Sequence, residues 1–170
     1  MTDLRGIKIV SGGQTGADRA ALDFAIEHDI PHGGWCPRGR LAEDGSIPLH
    51  YKLRETSSRK YSERTARNIR DSDATVVFSI VASPQGGTRL TLALAERLGR
   101  PVLHLSRDAI SRNASDSVGV SDVAGTAAAQ LQAFLDECQP RSLNVAGPRA
   151  SQESEVAAFV AAVLRSALLV

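Results

Sequence analysis

Cysteine is scarce. Cys36 and Cys138 are the only two in 170 residues, and they lie far apart without CxxC spacing, which argues against a disulfide or zinc framework and suits a reducing compartment. No apolar run reaches the ~20 residues that cross a bilayer, and the start Met1-Thr-Asp-Leu-Arg-Gly6 lacks the apolar segment of a signal peptide. A cytoplasmic protein with no membrane partner is expected. An excess of one charge is missing too: 20 Lys plus Arg stand against 19 Asp plus Glu. No global field therefore draws nucleic acid or a membrane surface, and any charge selectivity is local. Repeats, low-complexity tracts and dividing linkers are absent. So are a Gly-Lys-Ser/Thr phosphate loop, a GxSxG nucleophile elbow and a GxGxxG fingerprint, which disfavours phosphoryl transfer, elbow-type hydrolysis and ordinary NAD binding.

What is present is alternation. Short β-branched runs are followed by longer segments of helical period, the pattern of a parallel sheet covered by helices. Ile7-Lys-Ile-Val10 feeds a helix with Ala17, Ala20, Ala21, Phe24 and Ala25 on one face. Ala74–Ile80 feeds one with Leu90, Ala93, Leu94 and Leu98 inward, ended by Gly99. Pro101–Leu105 leads through a polar stretch from Ser106 to Ser121 to a helix aligning Ala124, Ala127, Ala128, Leu131, Phe134, Leu135 and Cys138. Ser142–Ala146 precedes a final stripe of Val156, Phe159, Val160, Val163, Leu164, Ala167 and Leu168. The expected fold is a three-layer α/β/α domain over residues 1–170 with a mostly parallel sheet. Residues 31–60 form a less regular insertion with one short strand at Tyr51–Glu55, too long for an ordinary connection and lid-like in composition. The helix from about Tyr61 to Arg70 is strongly polar.

In a parallel sheet the turns after the strands gather at one edge, where ligands bind. Three such turns are expected to hold an anion: Gly12, Gly13, Gln14, Thr15, Gly16 and Asp18 in the first, Gly86, Gly87 and Thr88 in the second, Gly147 and Arg149 in the third. Glycines let backbone approach a ligand, helix N-termini present free N–H groups, and Thr15 is placed to cap the first helix. Asp18 either bonds a ribose hydroxyl, serves as a general base or caps the helix. In the insertion, Trp35 either stacks on a base or pterin or anchors the loop, and Arg38 or Arg40 either pairs with phosphate or is solvated. Arg64 and Asn68, four apart, share one helical face. His28, His32 and Cys36 recur every four residues, but Pro31, Gly33 and Gly34 break any helix that would align them, so no metal site is expected. His104 reads as a hydrogen-bonded strand residue.

Ser11–Arg19, Gly34–Arg40 with Ala42-Glu-Asp44, Arg64–Asn68, Asp71–Thr75, Gly86-Gly-Thr88 and Asn144–Arg149, in this order over nearly the whole chain, resemble the family named putative molybdenum carrier, a circularly permuted YpsA group within the Rossmann-like SLOG superfamily. The resemblance implies a phosphorylated nucleotide-like ligand, either molybdopterin cofactor or a nucleotide, bound without chemical change. It also implies that the Gly-Pro-Arg turn that opens related chains stands here near the C-terminus. The chain also resembles the LOG-type phosphoribohydrolases around Arg64 and Gly86-Gly-Thr88. Their motif places a glutamate three residues after the threonine, where this chain has Thr91. Binding or carriage is therefore the expected function. The alternative is an N-glycosidic hydrolase with Arg64 on phosphate and Asp18 or Glu43 as the carboxylate. A third reading makes the 106–121 segment a protein-interaction module. Self-association is expected from the apolar stripes at 124–138 and 156–168.

Overall fold

The computed structural model describes residues 6–114 and 122–169. The elements run β1 (Lys8–Val10), α1 (Ala17–Glu27), β2 (His32–Gly33), β3 (Trp35–Cys36), β4 (Leu41–Ala42), β5 (Gly45–Ser46), β6 (Arg54–Glu55), α2 (Tyr61–Arg70), β7 (Ala74–Ser79), α3 (Gly86–Arg97), β8 (Val102–Ser106), α4 (Arg107–Asn113), α5 (Val123–Cys138), β9 (Ser142–Ala146) and α6 (Val156–Leu168). Five strands form one sheet in the order β2-β1-β9-β7-β8, and every pairing in it is parallel. If β9 and α6 are counted first, this order becomes 3-2-1-4-5, that of a Rossmann-like doubly wound sheet, with its switch point between β9 and β7. The strand that comes last in sequence is thus the central one.

The two faces of the sheet differ in chemistry. Side chains alternate along a strand, and Ile7 and Ile9, Leu143 and Val145, and Ala74, Val76, Phe78 and Ile80 enter one apolar core with α1, α5 and α6. In α6, Val156, Val160, Val163 and Leu164 are fully buried, each worth roughly 1.5–3 kcal/mol relative to exposure. Phe159 meets Phe78 edge to face at 5.8 Å. The opposite face carries the alternate residues, with Val10, Asn144, Thr75 and Val102 aligned across neighbouring strands. There α3 packs on β7 and β8, and α2 packs on α3. These two helices bury Arg64, Asn68, Thr88 and Thr91 beside Ile69 and Ala95.

Several expectations need correction. The inward row of α3 is Thr88, Thr91 and Ala95, while Leu90 and Leu98 are 41% and 43% exposed. Helix α3 packs on the sheet face that carries Asn144 and Thr75 beside Val10 and Val102 and buries threonines rather than leucines, so its leucine spacing is no guide to burial. The stripes of α5 and α6 pack against each other and against the sheet. The 31–60 insertion is tied to itself by side-chain bonds and a small core shared with α1. The Arg40 guanidinium donates to the carbonyls of Ile47, Pro48, Tyr51 and Leu53 at 2.8–3.3 Å, and Leu22, Cys36, Ile47 and Tyr51 form a small separate core. The strand expected at 51–55 is reduced to β6, paired with β3. The segment after β8 opens with α4, capped by Ser106 Oγ; residues 115–121 of the polar stretch lie outside the described residues. No described helix is long and apolar enough to cross a membrane.

Candidate functional site

A cavity of about 100 Å³ opens at the carboxyl edge of the sheet. Gly12 and Gln14 reach it from the turn after β1, Asn144–Gly147 from the end of β9, Gly87, Thr88 and Thr91 from α3, and Tyr61, Arg64, Thr65 and Asn68 from α2. Its place at the strand ends beside the β9/β7 switch point is where doubly wound sheets bind ligands.

The first turn is built around a buried ion pair. Asp18 and Arg64 are 6% and 8% exposed, with Arg64 Nη1 3.5 Å from Asp18 Oδ2. Arg64 Nη1 also donates to Gly12 O at 2.8 Å. Gly12 is glycine because a Cβ there would run into the guanidinium. Burial raises the Asp18 carboxyl above its ordinary range; Arg64, the N–H groups of Gln14 and Gly12, and the Ser11 hydroxyl oppose the rise. Asp18 does not cap α1, which has no side-chain cap bond; its carboxylate instead accepts the Gln14 N–H at 3.1 Å, within the preceding turn.

Gln14 is oriented by its neighbours. Its Oε1 accepts N–H bonds from Thr15 at 3.1 Å and Glu43 at 2.9 Å, which fixes the amide and leaves buried Nε2 without a partner among the described residues. Thr15 does not cap α1, whose N-cap is Gly16 with no side-chain bond. The Thr15 hydroxyl instead donates to Glu43 and accepts from Ala150 N at 3.1 Å. Glu43 also receives the Ser151 N–H at 3.1 Å and the Ser151 hydroxyl. These bonds hold its carboxyl below the usual range. One glutamate thus ties the β4–β5 hairpin to the first and third turns.

Nine of the expected site residues border the cavity: Gly12, Gln14, Asp18, Arg64, Asn68, Gly87, Thr88, Gly147 and Arg149. Gly13, Thr15, Gly16, Arg38 and Gly86 do not. Gly13 (φ +79) lies against Leu53 and Ile47, and Gly16 (φ +80) against the backbone of 148–150. Exposed Arg38 is held by its N–H to Ser58 O at 2.9 Å. The third turn is not a helix start, since α6 begins only at Val156; a helix N-terminus does border the cavity at α3, whose N-cap Gln85 makes no side-chain cap bond. The Asn68 amide receives the Trp35 N–H at 2.7 Å and donates to Trp35 O at 3.0 Å. Trp35 lies outside this cavity, with Arg67 4.7 Å from its ring centroid and its indole N–H on Asp71. The aromatic at the site is Tyr61, with the guanidinium carbons of Arg64 and Arg149 each 5.5 Å from its centroid. Sequence reasoning missed it, although Tyr61, Arg64, Thr65 and Asn68 follow the i, i+3, i+4, i+7 spacing of one face. Among the cavity-lining residues the one carboxylate is Asp18, and Thr91 Oγ1 donates to Gly87 O at 2.9 Å. The alternative N-glycosidic hydrolase, with Asp18 or Glu43 as its carboxylate, is not favoured. No cluster of three or more metal-ligating side chains occurs among the described residues.

A parallel sheet in permuted doubly wound order, with a small polar cavity at its switch point, defines a Rossmann-like protein whose β-α units have been cyclically reordered. The chain belongs to the circularly permutated YpsA SLOG family, whose model matches residues 9–168. It is similar to a crystal structure from Syntrophus aciditrophicus SB described as "putative molybdenum carrier protein", with 42% identity, a TM-score of 0.87 and 96% of each chain covered. No curated protein matches the chain.

Proposed function

We propose that the chain binds a phosphorylated, nucleotide-like small molecule without transforming it, with the phosphoryl group seated in the cavity at the β9/β7 switch point. The observation that carries this reading is Gln14 Nε2, a buried donor with no partner among the described residues in a residue that lines the cavity. An unmet buried donor costs roughly 1–3 kcal/mol, which a ligand oxygen recovers. Arg149 and the uncapped start of α3 supply the other anion-binding groups. At about 100 Å³ the cavity is smaller than the ~150 Å³ engineered void that holds a benzene. It takes the phosphate end, and a base or pterin lies at the mouth near Tyr61 and Leu90. The related Syntrophus protein's description as a molybdenum carrier makes molybdopterin cofactor the first candidate for cargo; a nucleotide is the other.

Thermal denaturation against a panel of nucleotides and pterins tests the reading, since a ligand at a hundred times its Kd stabilises by roughly 2.7 kcal/mol. Gln14→Glu keeps the Oε1 acceptor, removes the Nε2 donor and adds negative charge, so it should abolish the shift; Arg149→Ala should weaken binding about ten- to a hundred-fold. A panel without any shift ends the proposal, and free base released from AMP would replace it with the hydrolase reading.

A further inference from the structure

A second cavity, of about 340 Å³, lies beside the edge strand β2 and shares only Asn68 with the first. Lys8, Lys52 and Arg54 line it together with His32, Trp35 and Asp71. None of the three cations has an ion-pair partner among the described residues. The one carboxylate in the wall is already engaged: Asp71 accepts from Arg70 at 2.7 and 2.9 Å and from the Trp35 indole at 2.9 Å. Lys8 is close to Gly33, where a Cβ would come within 3.0 Å of its Cε and 3.1 Å of its Nζ. Gly33 has no positive φ to account for it, so its small size serves the approach of the lysine. Lys52 and Lys8 both push His32 toward its neutral form, after burial itself.

Lys8, Lys52 and Arg54 are exposed on this face, where solvent screens their mutual repulsion, so all three charges are available to an incoming anion. The chain as a whole carries a net charge of only +1, so the concentration is local. We infer that this second cavity is an anion site, in which Lys8, Lys52 and Arg54 hold a small, multiply charged oxyanion of the phosphate class beside Trp35.

Trp35 is the only tryptophan in the chain, so its fluorescence reports on this cavity directly. Titration with inorganic pyrophosphate should give a saturable change that weakens with added NaCl. The apparent affinity should fall at least about tenfold in Lys8→Gln/Arg54→Gln and in Lys52→Glu, the latter at an exposed loop position that spares the sheet. The change should persist in Arg149→Ala, which weakens the first cavity. A parallel titration with ADP identifies the source: a response equal to that of pyrophosphate assigns the site to a nucleotide's phosphoryl tail, and a response to pyrophosphate alone assigns it to a free oxyanion. The inference is overturned if pyrophosphate gives no saturable response, if the response survives both charge variants, or if it vanishes in Arg149→Ala.

Discussion

The two faces of the central sheet are built from the same strands yet follow different rules. On one face, Val76, Phe78, Leu143 and Val145 close against α1, α5 and α6 in an apolar core. On the other, Thr75, Asn144 and Ser79 are just as buried, but they meet polar partners: Asn144 donates to the Thr75 hydroxyl at 3.3 Å and Ser79 bonds His104 at 2.8 Å, and Asn144 borders the small cavity with Arg64, Asn68, Thr88 and Thr91. The first face is stabilised by volume and contact. The second is stabilised by matched donors and acceptors, and beside it one buried donor, Gln14 Nε2, has no partner among the described residues. Under the proposed function, stability and recognition fall on opposite sides of one sheet.

That division can be tested by substitution. Leu164→Ala, at a fully buried position of the apolar face, should destabilise by ~2–5 kcal/mol in denaturant unfolding without altering ligand affinity once folded; a selective loss of affinity would break the division. On the polar face, Arg64→Ala leaves Gly12 O and Asp18 without their cation and should cost roughly 1–3 kcal/mol. The same change in an Asp18→Asn background should cost less, and equal costs in the two backgrounds would mean that the pair is not coupled.

The pH dependence is smaller and has a definite sign. Burial raises the native Asp18 carboxyl above its ordinary 3.8, so the native state holds this proton more tightly than the unfolded chain does. Its contribution to stability is present below pH 3.8 and is lost as pH rises through the native value. Exposed carboxylates with lowered values, such as Asp44 and Asp71, act the other way, which makes the comparison with Asp18→Asn necessary. The stability of the parent minus that of Asp18→Asn should fall as pH rises from the acid side to neutrality; a flat or rising difference refutes the assignment. The smallest effect belongs to Leu98→Ser, which should stay within about 0.5 kcal/mol of the parent because Leu98 is 43% exposed. A cost like that of Leu164→Ala would restore α3 to the apolar rules.

The same contrast accounts for how much was legible beforehand. The apolar face announces itself, because periodicity is a signal of hydrophobic burial: every residue buried in α6, from Val156 to Ala167, lies in the expected stripe. The polar face defeats that signal. Leu90 and Leu98 on α3 mimic a buried row, while Thr88 and Thr91 are the residues that turn inward. The glycine turns identified the edge of the sheet but not each glycine's task. Gly12 makes room for Arg64, whereas Gly13 and Gly16 make room for protein neighbours. Arginine was the least readable residue type. Arg40 braces a loop through four carbonyls, and Arg149 borders the cavity; their identical side chains carry no mark of the difference, which is set by contacts distant in sequence.

The central position of β9 also bears on how the chain comes to be folded. Strands β1 and β2 pair with each other, as do β7 and β8, yet the two pairs are joined only through β9. During synthesis both half-sheets leave the ribosome long before residues 142–146, and each then exposes an unpaired inner edge of the kind that invites misassociation. Cooperative closure waits for the late-emerging strand, so the burden of preventing aggregation falls on the interval before it arrives.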